Sequence, residues 1–267
     1  PSRPRFVGKF GVTHKNGEAY PFAPHALAFS PDGRRIYVGV NSSHGHDLQP
    51  DVTDAPPGAM NFATVGRDAG GVYIIDNSDF VRRKADPKLR LIATALHAGW
   101  HSPVRATIGR RPYLVSAGEL GACPGAWPRI TAIRDETKPV RTGEFRLAMN
   151  RQENCPEPNA IEKGSDGLVA RAGTPSSHFQ EVDDPANTRL GLFGFLFGGV
   201  RIADLRNPAD PVEVAYFKPG DPCASRVHQD PATGNIWFAC NTSGFWVIQL
   251  KPGLRRQLGM PDIGRRR

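Results

Sequence analysis

Four times along the chain the same short pattern returns: an apolar stretch, a tight turn, and a second apolar stretch. The segments are PHALAFSPDGRRIYVGV (24–40), HSPVRATIGRRPYLVSAG (101–118), SHFQEVDDPANTRLGLFGF (177–195) and ASRVHQDPATGNIWFACN (224–241). Their turns, SPDG, IGRR, DDPANT and DPATGN, use the Pro, Asp, Asn and Gly that tight hairpins need. A second pattern follows each hairpin: a Gly or small residue, then alternating β-branched and apolar residues. It reads GGVYIIDNSDF (70–80), PRITAIRDETKPVRTGEF (128–145), GGVRIADLRNPADPVEVAYF (198–217) and SGFWVIQLKPG (243–253). In the second and third of these a further strand follows a Pro-containing turn. Each unit therefore reads as four antiparallel strands, and such units repeated in series stack radially.

Composition agrees. The chain carries 29 Gly and 25 Pro in 267 residues, and each would cost about 1–3 kcal/mol inside a helix. No apolar run reaches the roughly 20 residues of a membrane-spanning helix. The longest, 190–200, is broken by Gly191, Gly194, Gly198 and Gly199. The expectation is an all-β fold, a β-propeller of four-stranded antiparallel blades. Four to five blades fill residues 1–250, and a basic tail follows at 251–267. RPRFVGKF (3–10) has the form of a blade's outermost strand without its partners, and the last unit stops at Leu250 with three strands. Joining the two would close a ring within this chain. The alternative expectation is that the chain is the C-terminal part of a larger propeller. It opens on Pro1, as a processed chain or a piece of a longer one would.

GGVRIADLRNPADPVEVAYF resembles the LVIVD repeat of bacterial, often secreted, β-propellers, and PHALAFSPDGRRIYVG is similar to the related YVTN and WD-type blade hairpin. The resemblance covers nearly the whole chain. It implies six to eight blades as the usual closure and specifies blades rather than an activity. Two insertions of about 30 residues, 41–69 and 148–176, depart from the repeat.

Propeller topology places both insertions, as connections between strands, on one face, called the top here. Long irregular loops on a rigid scaffold commonly carry function. Histidines gather on the same side. His25, His101 and His178 open three successive inner strands, while His14, His44, His46 and His97 lie in top-side connections. Convergent imidazoles suit a divalent transition metal; His44 or His46 would be the best additional ligand, and Asp47, Glu119 and Glu181 are carboxylates near enough to complete a set. The plainer reading is a blade histidine bonding a neighbouring backbone. Trp100 and Trp127 are candidates to line a ligand pocket, with Glu119 and Glu181 beside them. HExxH, GxSxG, P-loop and EF-hand patterns are absent from the sequence. Two functions follow, the first the leading reading and the second its alternative. One is a binding or interaction module presenting its top face to a protein or small molecule. The other is a metal-dependent enzyme, by fold-level analogy a lactonase-like hydrolase or a methanethiol-oxidase-like oxidoreductase.

The net charge of +8 comes mostly from the tail, where Lys251, Arg255, Arg256 and Arg265–Arg267 face a single acid, Asp262. Charge so confined disfavours nucleic-acid binding and reads as a solubilising end available to acidic surfaces. Four cysteines form no CxxC pair. Cys223 precedes an inner strand and Cys240 ends the strand beside it, so a Cys223–Cys240 bridge is expected. Cys123 and Cys155 lie in neighbouring top loops and form the second expected bridge. Disulfides imply an extracellular or periplasmic location.

Overall fold

The computed structural model of the protein describes residues 6–10, 12–13, 19–20, 24–40, 70–97, 100–118, 127–154, 161–163, 169–171, 176–223 and 225–260. Short hairpins are formed by β1 (Val12–Thr13) with β2 (Ala19–Tyr20), and by β11 (Ile161–Lys163) with β12 (Val169–Arg171). The remaining strands make four antiparallel sheets. The first holds β3 (Pro24–Phe29), β4 (Arg35–Val40), β5 (Gly70–Asp76) and β6 (Arg90–His97). The second holds β7 (Trp100–Ile108), β8 (Arg111–Gly118), β9 (Arg129–Ala132) and β10 (Val140–Glu144). The third holds β13 (Ser177–Val182), β14 (Leu190–Phe195), β15 (Gly199–Asp204) and β16 (Val212–Phe217). The fourth has three strands, β17 (His228–Gln229), β18 (Asn235–Cys240) and β19 (Gly244–Gln249). Within each sheet the strands pair in chain order, and the inner strands β3, β7, β13 and β17 stand side by side around a common axis. This is a β-propeller arrangement of blades.

The core lies between blades rather than within them. Tyr37, Val72 and Ile74 of the first blade meet Leu114 and Ile133 of the second. Val115 and Ile130 meet Val182 and Phe193, and Leu192 and Ile202 meet Ile236 and Phe238. Alternation along each strand supplies both faces, as twisted sheets stacked face to face require. Close approach is enforced by glycine at two equivalent places. A Cβ on Gly39 would sit 2.5 Å from the His101 carbonyl oxygen, and one on Gly194 would sit 2.7 Å from those of Cys223 and Ser225.

Three sequence expectations change. The first blade owns a fourth strand, β6, that the repeat pattern did not single out. Residues 6–10 are not a strand and do not pair with β19; Phe10 instead packs on the first blade beside Val38, Val40, Tyr73 and Ile75. No substantial strand contact joins the fourth blade to the first among the described residues. The basic segment is not wholly a solvated tail either. Pro252–Gln257 form a helix whose Arg255 is buried, and Leu254, Leu258 and Met260 pack against the third and fourth blades. Residues 261–267 lie outside the described residues.

Candidate functional site

The site begins with an irregularity repeated three times. Strand register shifts between Pro24 and Ala26, between Trp100 and Pro103, and between Ser177 and Gln180. Each shift lies at the mouth of an inner strand, and each contains a histidine: His25, His101 and His178. A β-bulge re-aims the side chain it carries and recurs beside functional sites. Here the three bulges bring the three rings together. His25 and His101 approach to 3.0 Å between their Nε2 atoms, with ring centroids 3.7 Å apart. His178 lies on the other side of His101 at a centroid distance of 4.3 Å. His101 is fully buried at the centre, whereas His25 is exposed. Phe179 stands edge-on to both His101 and His178 at 4.5 Å.

The stack rests on a buried polar network between the second and third blades. Gln180 Oε1 accepts from Ser102 Oγ at 2.9 Å and from the Ala117 N–H at 3.0 Å. Its Nε2 donates to the carbonyls of Ser102 at 2.6 Å and Val115 at 3.1 Å. Both lone pairs and both protons of the amide are used. Ser177 Oγ accepts from the Gly118 N–H at 2.9 Å. His101 and His178 are thus held from the residues next to them.

Below the histidines the inner strands enclose a cleft of about 490 Å³. Leu27, Phe29 and Pro103 form its apolar wall, with Arg105, Glu181 and Arg226 opposite. Burial pushes the Glu181 carboxyl above the usual carboxylate range, and the neighbouring Arg226, 3.5 Å away, and His228 offset only part of that. A larger cleft of about 790 Å³ opens at the other end of the first and second blades, lined by Arg34, Arg35, Arg105, Arg134 and Glu136. Several of its charges are already spent on packing. Arg35 bridges Asp76 at 3.0 Å and Glu136 at 2.6 Å, tying the blades together. Burial and the adjacent Glu136 push the Tyr37 hydroxyl up to about 12.

Of the residues singled out in the sequence, His25, His101 and His178 are brought together, and Glu181 lies in the cleft below them. Trp127 carries the Arg146 guanidinium 4.5 Å above its ring. Trp100 opens β7 opposite Gly118, and its side chain lies outside the described residues, as do His44, His46, Glu119, Cys123 and Cys155. Cys223 and Cys240 are joined in a disulfide. Asp221 lies beside them, but both sulfurs are committed to that bond and its carboxylate is a turn clamp. It accepts from the N–H groups of Thr242 at 2.7 Å and Ser243 at 2.9 Å and from the Ser243 hydroxyl at 2.6 Å. Phe179, Ser102 and Gln180 were missed in the sequence; a lone Gln among apolar strand residues was the available signal.

The Asp221 clamp has a measurable consequence. These donors, the Ser243 hydroxyl first, hold the carboxyl well below the usual carboxylate range. A depressed folded-state pKa gives stability that is present above the unfolded value, about 3.9, and lost as pH falls toward the folded one. Denaturant titrations between neutral pH and pH 3 should show a flatter acid slope for Asp221→Asn than for the wild type. Identical slopes would remove the clamp from the account.

No family model matches the sequence, and no curated protein matches it. Solved structures do. A protein from Lactobacillus plantarum superposes with a TM-score of 0.51 at 12% identity, covering 92% of this chain and 63% of its own. A protein from Bacteroides uniformis provisionally assigned as a 6-phosphogluconolactonase gives 0.47 at 12% identity over 91% of this chain and 63% of its own. The Dos1 propeller gives 0.45 at 12% identity over 86% of this chain and 41% of its own. The chain thus spans about two thirds or less of the length of these structures. Antiparallel blades whose inner strands stand side by side around one axis make the fold a β-propeller.

Proposed function

We propose that this chain is a propeller of the LVIVD-repeat type whose channel mouth binds a divalent transition metal through His25 and His101, with His178 alongside, and that this centre acts on a small molecule held in the cleft beneath it. The 3.0 Å approach of two Nε2 atoms carries the reading. Two imidazole Nε2 atoms at this distance share either a proton, in an N–H···N hydrogen bond, or a cation. With metal–nitrogen bonds of about 2.0–2.1 Å, a 3.0 Å separation corresponds to an angle of about 91–97° at the ion. That suits square-planar or octahedral ions such as Cu²⁺, Ni²⁺ or Fe²⁺ better than tetrahedral Zn²⁺. Bound there, the metal would polarise a substrate oxygen or activate water. Leu27 and Phe29 would exclude water from the substrate body, and Glu181 would offer a carboxyl to its polar end. The Cys223–Cys240 disulfide supports an extracellular or periplasmic location.

A second reading, a metal-free binding module, is favoured by the same distance, because 3.0 Å is also the length of an N–H···N hydrogen bond. Metal analysis of protein purified without chelator, then reloaded with Cu²⁺, Ni²⁺, Fe²⁺ or Zn²⁺, separates the two. The expected result is one ion per chain, lost in the exposed His25→Ala variant with its circular dichroism unchanged. A wild type that retains none of these ions after reloading would leave the binding module alone.

A further inference from the structure

The second blade lacks a lock that its two neighbours have. In the first and third blades the third strand ends on an aspartate, Asp76 of β5 and Asp204 of β15. Both carboxylates accept a backbone N–H two residues on, from Ser78 at 3.0 Å and from Arg206 at 2.9 Å. Each also closes on a guanidinium, Asp76 on Arg35 at 3.0 Å and Asp204 on Arg206 at 2.6 Å. The residue after the strand marks the equivalent place in each blade, because its N–H donates to the second strand: Asn77 to Arg34, Ile133 to Pro112 and Leu205 to Arg189. On β9 the aspartate position is therefore Ala132, and Arg134 stands where Arg206 stands in the third blade, without that carboxylate.

Two more arginines come to the same place. Ile108 pairs with Arg111, so the turn from β7 to β8 is Gly109 and Arg110, at φ 54° and 64°. Such a turn favours Asn and Gly; here an arginine takes the left-handed conformation, against the preference of a residue with a Cβ. The register that sets Tyr113 opposite Ala132 continues through the Ile133 to Pro112 hydrogen bond and sets Arg111 opposite Arg134. Like charges directly opposite on neighbouring strands repel. Arg110, Arg111 and Arg134 are all exposed, and none bonds an acid among the described residues. By contrast Arg90 closes on Asp79, Arg129 on Glu144 and Arg201 on Glu213. Nothing within the described chain offsets the gathering of these three guanidinium groups.

The three arginines line one hollow of about 430 Å³, completed by Gly109 and Pro112, with no acid in its wall. Through Pro112 and Arg134 it adjoins the cleft of about 790 Å³ between the first and second blades. The carboxylates of that cleft are engaged by other donors. Asp135 accepts from the Thr137 N–H at 3.0 Å and hydroxyl at 2.6 Å, Glu136 from Arg35 at 2.6 Å, and Asp32 from the Ser30 hydroxyl at 2.7 Å. The planar fork of a guanidinium matches the oxygens of a phosphoryl group, and several together suit a dianion. Blades of this chain flank the site on both sides, so it does not depend on what packs against the outer face of the first or the fourth blade.

We propose that Arg110, Arg111 and Arg134 form an anion site on the bottom of the second blade that binds a phosphoryl dianion, as free phosphate or as the terminal group of a small phosphate monoester whose body enters the adjoining cleft. Ala132 is what makes the site available: an aspartate there would hold Arg134 as Asp204 holds Arg206. The site lies at the opposite end of β7 from His101, and its binding needs no metal at the histidine mouth.

Isothermal titration calorimetry of the full chain, stripped of metal and dialysed into low-salt buffer, should show one saturable site for inorganic phosphate or phenyl phosphate. Tighter binding of phenyl phosphate supports a monoester with its body in the cleft; inorganic phosphate binding at least as tightly supports the free ion. Arg134→Gln should weaken binding about tenfold, as the loss of a charge-assisted hydrogen bond does. Ala132→Asp keeps all three arginines but restores the carboxylate of the neighbouring blades. It should weaken binding at least as much while raising the urea midpoint, because it neutralises part of the repulsion between Arg111 and Arg134. Arg256→Gln removes an equal charge from the C-terminal helix and should bind as the wild type does. No saturable uptake of either anion by the wild type, full-strength binding in both Arg134→Gln and Ala132→Asp, or an equal loss in Arg256→Gln would each overturn the proposal.

Discussion

Replacing Gln180 with Leu is expected to lower the unfolding free energy by about 3–5 kcal/mol. Leu fills nearly the same volume, so the loss is not a cavity effect. It arises because the Ala117 N–H and the Ser102 and Val115 carbonyls, all bonded to the Gln180 amide at 2.6–3.1 Å, would be left buried without that partner. An abandoned buried donor or acceptor costs about 1–3 kcal/mol. Gln180 itself is fully buried, so water has no easy route in. The expected signature is a lowered urea midpoint with an unchanged denaturant slope. Because Ser102 follows His101 directly, metal uptake should fall in the same variant. A midpoint equal to that of the wild type would mean that the network is not what holds the second and third blades together.

Removing the disulfide is expected to have the next largest effect, but a local one. Cys223 and Cys240 close a loop with a sequence separation of 17, for which the chain-entropy model gives about 3 kcal/mol. In a stacked array each unit leans only on its neighbours, and the fourth blade shares its apolar core with the third. The double variant Cys223→Ser and Cys240→Ser should therefore loosen that blade first. Hydrogen exchange should accelerate in β18 and β19 while β8 and β14 keep their protection. Uniform acceleration across all four blades would show that the propeller opens as one cooperative body instead.

The hairpins could be read from the sequence because two local signals coincide in them. Turn chemistry such as SPDG at 30–33 and DPATGN at 230–235 flanks strands with clean alternation. The convergence of His25, His101 and His178 was legible for a related reason: in a repeat, equivalent positions land on equivalent radii. What could not be read lies in the bulges. The shift between Ser177 and Gln180 decides that Phe179 meets the imidazoles while Gln180 turns into the blade interface, and no alternation pattern encodes a register shift. β6 escaped notice because the helical turn Ser78–Val81 and a further stretch of polar chain separate it from β5. The described part of RPRFVGKF, residues 6–10, forms no strand beside β19, and the reason is global. Strand character is local, but whether two ends meet depends on the summed angles between blades.

The central claim is that two imidazoles share one ion. Diffraction from crystals grown without chelator, recorded on both sides of the copper, nickel and iron absorption edges, tests it most directly. The account predicts a single anomalous peak at the channel mouth, about 2.0–2.2 Å from Nε2 of both His25 and His101. A clean map there at every edge, with the two nitrogens in hydrogen-bond contact, would contradict it.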